Sequence, residues 1–84
     1  MRYNVYILQS VKDAGYYVGH TNNWEDRVKR HNEGRCRYTC GRGPWKLVYR
    51  EVFDSRAEAM RRAQEIKRKK SKAYIDYLVK TSQA

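Results

Sequence analysis

Eighty-four residues with one proline and no glycine- or serine-rich break leave room for one small domain, residues 1–84, near the size at which a single core is barely sufficient. Nineteen Lys and Arg against nine Asp and Glu give a formal charge of +10, which points to a polyanionic partner, nucleic acid first, and specifies no reaction. No apolar run approaches the roughly 18 residues that cross a bilayer, and MRYNVYILQS lacks a secretory h-region, so no membrane association and a cytoplasmic location are expected.

YNVYILQS (Tyr3 to Ser10) and GYYVG (Gly15 to Gly19) are β-branched and aromatic runs separated by VKDA, a pattern that predicts an antiparallel hairpin. With a four-residue loop Ser10 pairs with Gly15 and Leu8 with Tyr17, which puts Tyr6 and Tyr17 on one face as diagonal neighbours. Tyr3, Val5, Ile7, Tyr16 and Val18 take the other face, the one to be covered by helices.

In TNNWEDRVKRHNEG, Asn23 caps a helix with Glu25 and Asp26 in its first turn and Gly34 as its stop. Trp24, Val28 and His31 form one stripe, and Arg27 lies one turn before His31. GRCRYTCGRGPW reads as a basic, glycine-rich loop, mobile and solvent-facing. Cys36 and Cys40 read as two reduced thiols, because only His31 and His20 remain to complete a zinc set.

KLVYREVF (Lys46 to Phe53) predicts a third strand. Ser55 then caps a helix through RAEAMRRAQEIKRK, with Glu58 at the capping-box position and Ala59, Met60, Ala63 and Ile66 as its buried stripe. After Ser71, KAYIDYLVK predicts a last helix with Tyr74, Tyr77 and Leu78 inward. The order β-β-α-β-α-α gives an α+β fold, a small three-stranded and largely antiparallel sheet flanked by helices.

A Tyr in VYI, a second Tyr in YVG, then T-N, an Arg, a His-Asn and a Gly resemble the GIY-YIG nuclease superfamily. Val5-Tyr6 stands where the first motif ends, and Tyr17-Val18-Gly19 stands as the second. The likeness continues through HTNNWEDRVKRHNEG, GPWKLVYREVF and SRAEAMRR with IKR, and is greatest to the small single-domain bacterial members. It implies a metal-dependent endonuclease that hydrolyses phosphodiesters in DNA, with Mg²⁺ or Mn²⁺ as the cofactor. Tyr17 is then the general base, assisted by His31, since a phenol with an ordinary pKa of about 10 needs help to take a proton. Tyr6 would hydrogen-bond the nucleophile or the phosphate, Arg27 would hold non-bridging oxygens, and Gly19 would let the backbone come close.

One position departs from the family pattern, which resembles E-A-x-x-R-E-x-x-I-K. The segment EAMRRAQEIKR aligns Ala63 with the expected metal-binding glutamate. Glu65 lies about 200° further round a helix, and Glu58 shares its outer face, so Glu65 could serve only through a shifted helix. Ala63 itself sits on the buried stripe, read as the side from which a carboxylate reaches the tyrosines. Impaired catalysis is therefore expected, and the alternative is a non-catalytic nucleic-acid-binding module on the same fold.

Phosphate contacts are expected from His20, from Arg35, Arg37 and Arg42 in the loop, and from Lys67, Arg68, Lys69 and Lys70 at the end of the second long helix. DNA is the expected partner, with RNA the alternative. Tyr38 and Trp45 could stack on bases, although Trp45 after Gly43-Pro44 reads better as a core anchor.

Overall fold

The elements run β1 (Tyr3–Ser10), β2 (Tyr16–Thr21), α1 (Trp24–Asn32), β3 (Trp45–Phe53), α2 (Arg56–Lys69) and α3 (Lys72–Ser82). They are seen in a computed structural model, which describes residues 2–35, 39–69 and 71–82. The sheet order is β2-β1-β3, with both pairings antiparallel. The α+β architecture expected from the sequence is the one observed.

The four-residue loop sets the hairpin register as expected: Ser10 N–H donates to the Gly15 carbonyl at 2.8 Å, and Leu8 lies opposite Tyr17. Loop side chains hold the turn, since Ser10 Oγ accepts the N–H groups of Lys12 and Asp13, and Asp13 Oδ1 accepts that of Gly15. β2 runs two residues beyond the expected Gly19, because β1 offers Val5 and Asn4 as partners for His20 and Thr21. Gly19 reads as a strand end only when its cross-strand neighbour is ignored.

Strand alternation divides the core in two. Val5, Ile7 and Val18 face Ala59, Ala63, Ile66 and Leu78 of α2 and α3, while Tyr6 and Leu8 face Trp45, with Tyr17, Val28 and Leu47 packed beside them. Ile7, Leu8 and Ile66 are almost wholly buried, each contributing about 1.5–3 kcal/mol of transfer free energy.

Caps delimit the helices where the sequence placed them. Asn23 Oδ1 accepts Asp26 N–H at 3.1 Å, and Ser55 Oγ accepts Glu58 N–H at 3.2 Å. Two expectations of burial are corrected. Met60 is 41% exposed and Tyr77 62%, because each lies about 100° round its helix from the true inward residue, Ala59 and Leu78 respectively.

The loop before β3 is also corrected, since its described part is not wholly solvent-facing. Thr39 is fully buried, and its carbonyl accepts the indole N–H of Trp45 at 3.1 Å. Asn32 Nδ2 donates to the Trp45 carbonyl at 3.0 Å and pins the start of β3 to the end of α1. Trp45 is thus a core anchor, 3% exposed.

Candidate active site

Three elements bring three rings together. Tyr6 from β1 and Tyr17 from β2 meet with ring centroids 6.2 Å apart, because the hairpin register places them diagonally on one face. His31 enters from the last turn of α1, with its ring 6.0 Å from Tyr6 and 4.6 Å from Tyr17. Of the three, Tyr6 and His31 are buried and Tyr17 is half-buried.

His31 is held at both nitrogens. Nε2 lies 3.1 Å from the Tyr6 hydroxyl and Nδ1 lies 2.7 Å from Thr39 Oγ1. A neutral imidazole has one donor and one acceptor nitrogen, so one hydroxyl receives an N–H and the other donates its own proton. The chain Tyr6–His31–Thr39 is therefore a polar path through an otherwise apolar layer. Burial, and then the charge of Arg27, hold the His31 pKa below its ordinary value, which favours the neutral ring.

The sequence linked His31 to Tyr17, whereas the hydrogen bond runs to Tyr6 and the contact with Tyr17 is ring against ring. Thr39 was missed altogether, since a threonine among loop arginines carries no signal of burial. Tyr16, next to Tyr17 but on the other face, has its phenol pushed up to about 12 by burial and by its bond to Asp76, and stays protonated at neutral pH.

Gly19 lies opposite Tyr6, and a β-carbon there would stand 2.6 Å from the Tyr6 hydroxyl. The absence of a side chain at 19 makes room for the Tyr6 phenol.

Arg27 is exposed on α1, and its charge acts on both His31 and His20. Arg35 pairs with Glu33, and Arg42 pairs with Asp13 at 3.1 Å while lying over the Trp45 ring. Lys67, Arg68 and Lys69 are exposed in the last turn of α2, with the Lys69 ammonium 4.9 Å from the Tyr74 ring centroid. Arg37 and Lys70 lie outside the described residues, as do Cys36 and Tyr38.

Ala63 is packed with Val5, Ile7 and Val18, across the sheet from Tyr6. Its expected opening onto the tyrosine face is thereby corrected, because adjacent residues of β1 point to opposite faces. Arg56 and Lys67 lie on the same helical stripe to either side of Ala63, and the charges of both act on His20 of the edge strand β2. Glu65 is exposed and bonded to Arg62, and α2 runs uninterrupted from Arg56 to Lys69 without the shift that would turn Glu65 inward.

The residues present do not fit a divalent metal. Ala63 offers a methyl group where the resemblance implies a carboxylate, and among the described residues no three His, Cys, Asp or Glu side chains gather to hold an ion. No helix of the described residues is long and apolar enough to cross a membrane.

Fold and motif spacing together define a small α+β domain of the nuclease type, whose substrates in general are nucleic acids. Residues 2–75 match the GIY-YIG catalytic domain, and the chain belongs to that family. It is 52% identical over 65 residues to UPF0213 protein CPE1444 of Clostridium perfringens, covering 76% of this chain and 69% of that protein. It is 48% identical over 67 residues to UPF0213 protein SH2523 of Staphylococcus haemolyticus, covering 79% and 80% respectively. The solution NMR structure of UPF0213 protein BH0048 from Bacillus halodurans superposes with a TM-score of 0.60 at 40% identity, covering 96% of this chain and 85% of that one.

Proposed function

We propose that this chain is a DNA-directed nuclease-type domain that retains the proton-handling half of a phosphodiester hydrolase and is impaired in turnover at position 63. The observation that carries this reading is the hydrogen-bonded pair Tyr6–His31 beside Tyr17. Half-buried Tyr17 is the ring that a water can reach, and it acts as the general base. Behind it His31, neutral and braced by Thr39, holds Tyr6 so that the hydroxyl layer keeps one geometry. Arg27 lies one turn before His31 and binds the non-bridging oxygens.

Ala63→Glu tests the reading. Cleavage of duplex, single-stranded or branched DNA by that variant with Mg²⁺ or Mn²⁺, and none by the chain as written, supports it. Efficient cleavage by the chain as written overturns the reading of Ala63.

The second reading is a nucleic-acid-binding module without turnover, favoured by the net charge of +10. Binding without cleavage by either protein would establish it.

A further inference from the structure

At the end of β2 a polar cavity of about 280 Å³ is lined by Tyr3, His20, Thr21, Asn22, Arg27 and Arg56. It holds two guanidinium groups and an imidazole, and no carboxylate. Four other described arginines have acidic partners, Arg30 with Asp26, Arg35 with Glu33, Arg42 with Asp13, and Arg62 with Glu51 and Glu65, whereas Arg2, Arg50, Arg61 and Arg68 have none among the described residues and do not line this cavity. Among the described residues Arg27 and Arg56 make no ion pair.

Three elements converge on this cavity, His20 coming from β2, Arg27 from α1 and Arg56 from the first turn of α2. Beside the half-buried His20 stand Arg56, Lys67 and Arg27, whose charges add to burial in holding its pKa below the ordinary value. Like charges gathered around a neutral ring repel one another, and no acidic residue in the lining offsets them. An anion would. Arg27, which lines the cavity, lies one turn before His31 on α1 and is the residue that the cavity shares with the neighbourhood of the tyrosine cluster.

From this geometry we infer that His20 and Arg56, with Arg27 shared, form a second phosphate subsite that seats the backbone phosphate next to the one at the tyrosine cluster. This deepens the proposed function and rests on it for the identity of the strand. Arg56 carries the new assignment: it supplies a planar fork of donors at an exposed mouth, suited to a phosphodiester oxygen pair. Phosphate at the cavity would also stabilise protonated His20 and turn it from a passive wall into a charged contact.

The test is NMR titration of the His20 ring at low salt without divalent metal, using inorganic phosphate and, separately, a five-nucleotide oligothymidylate. Both probes are expected to shift the His20 resonances and to raise its pKa. Arg56→Ala should weaken the oligonucleotide about five- to tenfold and lower the slope of log K against log salt by roughly 0.7, the value for one phosphate contact on a single strand. Arg56→Lys should restore the slope and part of the affinity.

Oligonucleotide affinity and slope unchanged by Arg56→Ala, or a His20 ring that neither probe moves, would overturn the subsite. A shift with inorganic phosphate alone would also overturn it, leaving a site for a free anion. The measurement contains no cleavage step, so its outcome is separate from that of the Ala63→Glu experiment.

Discussion

Tyr6 and Gly19 face one another across the hairpin, and the phenol of the first occupies the space a side chain on the second would need. A β-carbon at 19 would come within 2.6 Å of the hydroxyl oxygen and 2.7 Å of the ring carbon that bears it. Gly19→Ala must therefore swing a ring that is 3% exposed. It is expected to cost about 1–3 kcal/mol in urea unfolding, as overpacking does, and to break the Tyr6–His31 bond. An unaltered His31 ring spectrum in the variant would contradict this.

Thr39→Val keeps the shape of a fully buried side chain and removes the oxygen facing His31 Nδ1. The nitrogen left without a partner should cost about 1–3 kcal/mol, the penalty for an unsatisfied buried polar group. A double-mutant cycle with Tyr6→Phe should show coupling, since both hydroxyls act on one ring. Additive losses would mean that the three groups do not behave as a chain.

Stability should fall as the pH is lowered. His20 and His31 have folded-state pKa values below the ordinary 6.5, in both cases through burial first; then through Arg56, Lys67 and Arg27 for His20, and Arg27 for His31. Above that pH both states are neutral and nothing is gained or lost. Below it the unfolded chain binds protons that the native state refuses, so stability declines until the folded pKa values are passed and then levels off. Urea midpoints measured between about pH 8 and pH 5 should drop. NMR titration of His31 to a value above 6.5 would reverse the sign.

Arg62 is a structural residue on an otherwise basic helix. It binds Glu51 at 3.1 Å with both groups about one-fifth exposed, and donates to the Tyr74 hydroxyl at 3.2 Å. The hydrogen bonds to Glu51 are the main cause that raises its pKa further. Tyr49, bonded to the same Glu51, has its phenol pushed up to about 12 by burial and by that carboxylate. Arg62→Leu should cost about 2–4 kcal/mol, mainly by stranding Glu51, and Glu51→Leu in the same chain should recover part of it. DNA affinity that falls as far in Arg62→Leu as in Arg56→Ala would reassign Arg62 to the nucleic-acid surface.

What could be read from the sequence was what one element, or two joined by a short loop, decides. A four-residue loop and a two-residue strand period set the hairpin register and the shared face of Tyr6 and Tyr17, while Asn23 and Ser55 set the helix starts through side-chain acceptors one turn from their donors. Within α2 and α3 the period was right in kind and wrong by one residue at Met60 and Tyr77, because an apolar residue at the margin of a stripe scores like one at its centre.

Tertiary structure alone decided which elements meet. Tyr6 and His31 are 25 residues apart in sequence, and nothing local says that Nε2 finds Tyr6 and not Tyr17. The packing of Trp45 on the end of α1 buried Thr39, and the docking of α2 put Ala63 behind the sheet while leaving Arg56 beside His20 and Arg27. Periodicity encodes the direction a side chain leaves its own element. It does not encode what stands opposite, which follows from how the two apolar faces of one small sheet are covered.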